Sequence, residues 1–321
     1  MNLANLTATI RMTTNTKRRL IVVVGATASG KTDLSIDLAR RYNAPIISTD
    51  SRQVYKGLPI GTAYPSAEQL QAVEHHFISE LDVTQEFNCG EYEKQALERL
   101  DKLFAEHDTV VAVGGSGLYV RALCEGMDDL PEADKMLRES LMARLEAEGV
   151  ESLAEELREL DPEYYEQVDR CNPARVMRAL EVCLATGEKY SALRKGGRKE
   201  RDFEIVKIGV DMPRDVLYER INRRVDIMME AGLEQEASAV LPYRDCNSLR
   251  TVGYSEMFDY FDGKTTLEEA VDLIKRNTRR YAKRQMTWFR RDAEIGWFSP
   301  AQTDKIVEYI DSRFGESDIK S

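Results

Sequence analysis

The sequence lacks several features that would assign a protein to a large class at once. It contains no apolar run as long as about 18 residues, which excludes a transmembrane helix. Its five cysteines are scattered, and no pair has the C-x-x-C spacing of a zinc ribbon or a redox dithiol. An odd number of cysteines argues against a disulfide framework, so we expect a cytoplasmic protein with no membrane partner.

Two catalytic classes also find no support. The histidines His75, His76 and His107 include no pair at i, i+4 spacing, so we expect surface positions and no metal role for them. There is no G-x-S-x-G elbow for a serine hydrolase. The net charge of −11 disfavours nucleic acid overall, so such a partner would need a local basic patch.

Strand and helix patterns alternate along much of the 321-residue chain, whose length suggests about two domains. Apolar, β-branched runs at 20–24, 45–48 and 109–113 predict buried parallel strands. Helical patterns near 31–41 and 91–106 lie between them. This alternation predicts an α/β fold with a doubly wound parallel sheet.

The remaining segments predict the domain organisation. Residues 130–201 are rich in Leu, Glu and Ala, and their leucines recur at helical spacing, which predicts a helical insertion. The core then comprises residues 20–129 and 202–321. Residues 1–19 contain no acid and resemble a transit peptide weakly, but we expect a disordered N-terminal extension.

A phosphate-binding loop is the strongest motif in the sequence. The pattern G-x-x-x-x-G-K-[ST] is met between a predicted strand and a predicted helix, the context that confirms it. Its backbone N–H groups bind phosphate oxygens, Lys31 adds a charge and Thr32 offers its hydroxyl to Mg²⁺. The motif indicates a phosphate or diphosphate ester without identifying ATP. The eight residues are Gly25, Ala26, Thr27, Ala28, Ser29, Gly30, Lys31 and Thr32.

Two further segments follow predicted strands, at the sheet edge where ligands bind in such folds. Asp50, in segment 49–53, is expected to face the bound phosphate, as a Mg²⁺ ligand or a proton acceptor. A helix cap or turn role is the alternative. In segment 114–117, the Gly114–Gly115 pair permits close approach or forms a simple turn, and Ser116 can donate a hydrogen bond.

Residues 275–291, here called the basic stripe, contain eight Lys or Arg and no acid. Helical spacing places Arg276, Arg280, Lys283 and Arg290 along one side. The stripe is either a solvated helix face or a track for a nucleic-acid phosphate backbone. Its aromatic residues Tyr281, Trp288 and Phe289 are expected to face the core.

The residues alone leave three functions open. A small-molecule kinase would need an arginine-rich lid, which Arg138, Arg175 and Arg178 could supply. A nucleotide-dependent switch should have an apolar strand ending in Asp, whereas the strand at 109–113 ends in Gly–Gly. A transferase is the third possibility, because phosphate-group chemistry alone leaves kinase and transferase open.

Seven segments, in chain order, resemble those of the tRNA dimethylallyltransferases. They are GATASGKT (25–32), ISTDSRQVY (47–55), PIGTA (59–63), VGGSGLY (113–119), NPARVMRALE (172–181), RTVGY (250–254) and KRQMTWFR (283–290). The resemblance implies transfer of a dimethylallyl group from dimethylallyl diphosphate to N6 of adenosine 37. That adenosine lies beside the anticodon, in tRNAs reading codons that begin with U.

The resemblance also implies a role for each motif. The loop holds the prenyl diphosphate, where ATP-binding proteins hold a nucleotide, and Asp50 accepts the amine proton. Lys31, Thr32 and Mg²⁺ stabilise the leaving diphosphate, Arg224 binds it, and Ser116 contacts its bridging oxygen. Three residues depart from the family pattern: Ser116 replaces Thr, and Tyr64 and Ser255 replace basic residues.

The anticodon stem-loop of tRNA is the expected macromolecular partner of a monomeric enzyme. The helical insertion and the basic stripe are both expected to contact it, mainly through phosphates. The predicted tRNA-binding residues are Asp50, Ser51, Arg52, Gln53, Ser116, Arg138, Arg175, Arg178, Arg250, Gly253, Tyr254, Arg276, Arg280, Lys283, Arg284 and Arg290.

Overall fold

The computed structural model describes residues 18–131 and 134–320. Residues 1–17, most of the predicted N-terminal extension, lie outside this range, and Arg19 already begins the first strand. The chain forms two compact units. Residues 125–200 form one of them, and the described residues on either side form the other.

A six-stranded sheet organises the larger unit, and every neighbouring pair of its strands is parallel. This confirms the predicted α/β class with a parallel sheet. The spatial order is β3-β2-β4-β1-β5-β6. The strands are β1 (Arg19–Gly25), β2 (Ile46–Ser48), β3 (His75–His76), β4 (Thr109–Gly114), β5 (Glu204–Val210) and β6 (Ile295–Phe298).

Helices connect the strands, and none that the structure describes is long and apolar enough to cross a membrane. They are α1 (Lys31–Tyr42), α2 (Ala67–Ala72), α3 (Cys89–Phe104), α4 (Gly117–Glu125), α5 (Lys135–Leu160), α6 (Pro162–Gln167), α7 (Pro173–Thr186), α8 (Tyr190–Leu193), α9 (Arg214–Glu230), α10 (Leu233–Ala239), α11 (Tyr254–Phe261), α12 (Leu267–Phe289) and α13 (Thr303–Lys320).

Both faces of the sheet are covered because β1 is apolar at every interior position. Successive side chains of a strand point to opposite faces. Ile21 and Val23 accordingly pack with α1 and α13, whereas Leu20, Val22 and Val24 pack with α3, α4, α11 and α12. The doubly wound arrangement brings the carboxyl ends of β1, β2 and β4 to one edge.

The smaller unit, residues 125–200, contains helices and no strand among its described residues. It has its own apolar core, which includes Leu153, Leu157, Val176 and Leu180. α5 is interrupted at Gly149, whose φ of 82° only glycine adopts readily. The predicted helical periodicity of the leucines thus corresponds to a separate helical core.

The expected surface positions of His75 and His76 are wrong. Both residues form β3, an edge strand of only two residues, and both are partly buried there. Burial lowers the pKa of each imidazole. A strand this short has no periodicity for sequence analysis to detect, and its place in the sheet depends on pairing with Ile46 and Ile47.

Gly114→Ala tests how closely the sheet edge is packed. A Cβ at Gly114 would lie 2.3 Å from Thr49 Oγ1 and 2.5 Å from the Thr49 carbonyl carbon. We expect the substitution to lower the free energy of unfolding by about 1 to 3 kcal/mol, measured in urea.

Gly315→Ala is the matched control, because a Cβ at this position in α13 meets no atom within 4 Å. It should leave stability unchanged or raise it by up to about 1 kcal/mol. Equal stability of the Gly114→Ala variant and the parent would contradict the close approach.

Candidate functional site

The phosphate loop lies between the end of β1 and the start of α1, as its motif predicts. Ala28 and Gly30 adopt left-handed backbone conformations, with φ of 64° and 94°. Gly30 caps α1 without a side-chain hydrogen bond, so the first N–H groups of the helix remain for an anion. The loop therefore has the backbone geometry of a phosphate-binding site.

Lys31 is partly buried at the start of α1, and its Nζ donates to the Ala26 carbonyl oxygen at 2.6 Å. Burial, assisted by the nearby Arg224 guanidinium, lowers the pKa of Lys31 to about 8, whereas Asp50 opposes the shift. The ammonium is thus poorly compensated by the protein itself. A bound phosphate would supply the missing negative charge.

Two arginines of α9 add to this positive charge. Arg224 is partly buried, and its Nη1 lies 3.5 Å from Thr27 Oγ1. Burial and the neighbouring Arg220 both lower the pKa of Arg224. Arg220, which sequence analysis did not assign to the site, lies 3.8 Å from the position of a Cβ on Gly30. Its i, i+4 spacing from Arg224 was the available signal.

Asp50 lies two residues beyond β2, at the carboxyl edge of the sheet. Its Oδ1 accepts the backbone N–H groups of Arg52 at 2.8 Å and Gln53 at 3.3 Å. The carboxylate therefore has the turn role that sequence analysis kept as an alternative. The same side chain lines a cavity with Lys31 and Thr32, so the two roles are compatible.

Ser116 joins the ends of β4 and β2. Its Oγ accepts the Ser51 N–H at 2.9 Å and donates to Ser51 Oγ at 3.1 Å. These bonds place Ser116 and Ser51 beside Asp50. The contact of Ser116 with a bridging oxygen of the diphosphate remains a prediction.

Gln285 is a site residue that sequence analysis missed. From α12, its Oε1 accepts the Thr27 N–H at 2.8 Å and its Nε2 donates to the Gly115 carbonyl oxygen at 3.0 Å. One buried amide therefore joins the phosphate loop to the segment after β4. The available signal was an amide on the side of α12 that buries Ala282 and Phe289.

Two cavities meet at the phosphate loop. The first, of about 150 Å³, is lined by the loop and Asp50, by the turn at Gly61–Ala63, and by Tyr281 and Gln285 of α12. The second, of about 360 Å³, adds the apolar side chains of Ile60 and Ile227. Residues that line both cavities are Lys31, Thr32, Ala63, Arg224 and Met228. A phosphate group on the loop is therefore reachable from two sides.

Oxygen donors for a metal lie in the first cavity, where the Thr32 hydroxyl and the Asp50 carboxylate both line the wall. Nowhere in the described chain do three or more His, Cys, Asp or Glu side chains form a group that could hold a metal ion. Mg²⁺ prefers oxygen ligands and is commonly completed by substrate phosphates and water. The residues present fit Mg²⁺ when a diphosphate supplies further ligands.

The basic stripe continues through α12 and beyond its end. Its residues Arg276, Arg280, Lys283, Arg284 and Arg290 are exposed, in agreement with the predicted common side. Arg290 forms an ion pair with Asp211 at 2.9 Å. The exposed face is therefore strongly positive, although the protein as a whole is acidic.

The aromatic residues of the stripe differ from the expectation. Phe289 is buried as predicted, but the side chain of Trp288 is 36% exposed and Tyr281 lines the first cavity. A Cβ on Gly117 would lie 2.3 Å from the Trp288 ring, so one face of the indole packs on the backbone of α4. The core-facing prediction is therefore wrong for Trp288, whereas Tyr281 is partly buried and faces the cavity.

The segment 250–254 contains both exposed and buried residues. Arg250 is exposed, and Gly253, with φ of 104°, lines the first cavity. Tyr254 is 0% exposed, and its hydroxyl donates to Glu236 at 2.6 Å. The Tyr254 side chain therefore packs in the core, and the predicted contact of this residue with tRNA stays a prediction.

Arg52 and Gln53 hold the protein backbone near Asp50. Arg52 Nη1 donates to the Asn247 carbonyl oxygen at 2.8 Å. Gln53 Nε2 donates to the carbonyl oxygens of Thr62 at 3.1 Å and Ala63 at 2.9 Å. Both side chains also line the first cavity, where their predicted contacts with tRNA stay a prediction.

The arginines predicted to contact tRNA in the smaller unit have different surroundings. Arg138 and Arg178 both form ion pairs with the buried carboxylate of Glu181, at 3.7 and 3.4 Å. Arg178 also donates to the Pro131 carbonyl oxygen at 2.8 Å. Arg175 is exposed on the same helix as Arg178. Arg138 and Arg178 therefore compensate a buried charge, which is a stabilising role.

Comparison with known proteins yields consistent matches. The family model described as IPP transferase matches residues 53–292. The tRNA dimethylallyltransferase of Cytophaga hutchinsonii is 49% identical over 297 residues, which are 92% of this chain and 98% of that protein.

Solved structures match along most of the chain as well. The full-length tRNA isopentenylpyrophosphate transferase from Bacillus halodurans is 40% identical with a TM-score of 0.71, covering 95% of this chain and 99% of that one. A eukaryotic dimethylallyltransferase, studied acting on tRNA, is 26% identical with a TM-score of 0.76, covering 89% and 76%. These structures contain the same kind of fold as the one described above.

The lowered pKa of Lys31 predicts pH-dependent anion binding at the loop. Lys31 is protonated below pH about 8 and loses its positive charge above it. The affinity for inorganic pyrophosphate, measured by calorimetry, should therefore fall as the pH rises through about 8.

Lys31→Met controls for the ionisation of pyrophosphate itself. This variant should bind more weakly at neutral pH and lose the part of the pH dependence that Lys31 contributes. Identical pH profiles for the variant and the parent would rule out Lys31 as the titrating group.

Proposed function

Because the chain belongs to the IPP transferase family, we propose that it transfers a dimethylallyl group from dimethylallyl diphosphate to a tRNA. The proposed acceptor is N6 of the adenosine at position 37, in tRNAs that read codons beginning with U. The products are N6-(dimethylallyl)adenosine in the tRNA and free diphosphate.

The observation that carries the proposal is the composition of the first cavity. The Asp50 carboxylate and the cationic groups of Lys31 and Arg224 line the same space. An acceptor nitrogen that attacks the prenyl carbon loses a proton, while the bond from that carbon to the diphosphate oxygen breaks. In the proposed reaction Asp50 accepts the proton, and the cations stabilise the negative leaving group.

Mg²⁺ is part of the proposal, with Thr32 as its protein ligand in the phosphate loop. When bound, the ion would neutralise charge on the departing diphosphate. The Thr32 hydroxyl and the diphosphate oxygens provide the oxygen ligands that Mg²⁺ prefers. Thr27, whose hydroxyl lies beside Arg224, and the loop N–H groups orient the same diphosphate.

α12 offers a physical route for tRNA to reach the cavity. Thr278, Tyr281 and Gln285 line the first cavity, whereas Arg276 and Arg280 are exposed on the same helix. Phosphate contacts at the exposed side would position an anticodon loop without selecting its bases. A base unstacked from that loop can then enter the cavity with its exocyclic amine toward Asp50.

A small-molecule kinase, the alternative suggested by the phosphate loop alone, is not favoured. It accounts for neither the exposed basic stripe nor the similarity to proteins named tRNA dimethylallyltransferase. A kinase would consume ATP without tRNA, and the proposed enzyme would not. We also propose that the enzyme acts as a monomer, which gel filtration of the purified chain tests.

Mass spectrometry of tRNA nucleosides tests the proposal directly. Unmodified tRNA is incubated with the protein, Mg²⁺ and dimethylallyl diphosphate, and a parallel reaction contains ATP in place of the prenyl donor. We expect dimethylallyl adenosine only with the prenyl donor and only in tRNAs with adenosine at position 37. ATP hydrolysis without any modified nucleoside would support the kinase instead.

Asp50→Asn separates the chemical role of Asp50 from its turn role. The amide oxygen of Asn can still accept the N–H groups of Arg52 and Gln53, but the side chain is not a base. We expect turnover to fall about 10²- to 10⁴-fold, with unchanged tRNA affinity. Turnover close to that of the parent in a single-turnover assay would rule out Asp50 as the proton acceptor.

Arg276→Ala combined with Arg280→Ala tests the basic stripe. Each lost phosphate contact should reduce the log–log slope of tRNA affinity against salt by about 0.7 to 0.9. Affinity for dimethylallyl diphosphate should stay the same, since the donor binds at the loop. The slope is measured by filter binding from low to moderate salt.

Lys275→Ala is the matched control in the same helix. Lys275 is ion-paired with Asp226 of α9 at 2.5 Å and is only partly exposed. Its loss should leave the salt slope nearly unchanged. An unchanged slope in the double arginine variant would mean that tRNA binds elsewhere, with the unit of residues 125–200 as the next candidate.

A further inference from the structure

Glu236, in α10, accepts hydrogen bonds from three donors on two other segments. Its Oε1 accepts the Gly61 N–H at 2.7 Å and the Tyr254 hydroxyl at 2.6 Å. Its Oε2 accepts the Ile60 N–H at 2.9 Å. Hydrogen bonds to an ionised acceptor are stronger than those between neutral groups. One carboxylate therefore holds the turn at 60–63 against the start of α11.

This turn is a wall of the first cavity, to which Gly61, Thr62 and Ala63 all contribute. Its backbone is closely packed: a Cβ on Gly61 would lie 2.6 Å from the ring of Tyr254. Ala63 has a left-handed φ of 53°, which is costly for a residue with a side chain. Hydrogen bonds within the segment, such as the one from the Ala63 N–H to the Ile60 carbonyl oxygen at 3.0 Å, hold this shape together with the contacts from outside it.

Gln53 holds the opposite side of the same turn. Its Nε2 donates to the carbonyl oxygens of Thr62 and Ala63, and its own backbone N–H donates to Asp50 Oδ1. Hydrogen bonds at both ends of the turn, joined by its backbone and by Gln53, thus connect Glu236 to Asp50. Glu236 itself is not among the described residues that line either cavity.

We propose that Glu236 is a positioning residue. It holds the turn at 60–63 where Gln53 can bind its carbonyl oxygens, and through Gln53 it orients the Asp50 carboxylate. The proposal rests on the function proposed above. It predicts that substitution of Glu236 lowers the rate of transfer and kcat/KM for dimethylallyl diphosphate and does not change the affinity for tRNA. The buried Tyr254 takes part as well, because its hydroxyl donates to Glu236 and fixes the position of that carboxylate.

Glu236→Gln is the principal test. The Gln side chain keeps one acceptor oxygen, but its NH₂ group replaces the other oxygen and cannot accept a hydrogen bond from the donors that face Glu236. We expect kcat/KM for dimethylallyl diphosphate to fall about 10- to 100-fold, as for a misplaced catalytic group. tRNA affinity should equal that of the parent. Glu234→Gln is the control in the same helix, since its carboxylate accepts a long hydrogen bond from the Tyr260 hydroxyl at 3.5 Å and does not contact the turn at 60–63 among the described hydrogen bonds.

A double-mutant cycle separates positioning from a general loss of stability. If Glu236 and Gln53 act through the same wall, the variant that combines Glu236→Gln with Gln53→Ala should lose little more activity than the worse single variant. Independent effects would multiply, and multiplied losses would overturn the proposal. Unchanged kcat/KM in Glu236→Gln would overturn it as well.

Amide hydrogen exchange provides a readout that needs no activity. Exchange at Ile60 and Gly61 should be faster in Glu236→Gln than in the parent, while exchange in β1 should not change. Unchanged exchange at these two amides would refute the hydrogen bonds on which the inference depends. By contrast, a parent protein that modifies no tRNA would refute the proposed function, whatever the exchange result.

Discussion

The hydrogen bonds of Gln285 are the constraint on which the rest of the site depends. One buried side chain of α12 binds the backbone of the phosphate loop at Thr27 and the backbone beyond β4 at Gly115. Since both partners are backbone groups, the loop and the opposite wall keep a defined separation. The helix that supplies Gln285 also carries most of the exposed basic stripe, so the surface for a polyanion and the side chain that holds the phosphate loop belong to the same helix.

Positive charge is concentrated at the phosphate loop and on the basic stripe. The protein has a net charge of −11, yet Lys31, Arg220 and Arg224 lie together at the phosphate loop, and the stripe contains eight basic residues and no acid. Burial makes the loop cations costly without an anion, as the lowered pKa values of Lys31 and Arg224 indicate. An acidic surface elsewhere leaves few competing places for a polyanion to bind.

Local patterns predicted the parallel sheet, the phosphate loop and the place of Asp50, because each depends on consecutive residues. They did not predict β3, Gln285 or Glu236, whose contacts join segments far apart in the chain. Tyr254 shows the same limit: its motif suggested a contact with tRNA, while packing against Gly61 and Glu236 places it in the core. The residue roles that involve bound substrates remain predictions.

Binding of pyrophosphate to Gln285→Met tests the main claim most directly. Methionine is of similar length but makes neither bond, which leaves the Thr27 N–H and the Gly115 carbonyl unsatisfied at about 1 to 3 kcal/mol each. We predict that Kd for pyrophosphate rises about tenfold or more. The exposed Thr287→Val in the same helix should bind like the parent. If Gln285→Met binds pyrophosphate as tightly as the parent does, the claim that this side chain maintains the conformation of the phosphate loop is contradicted.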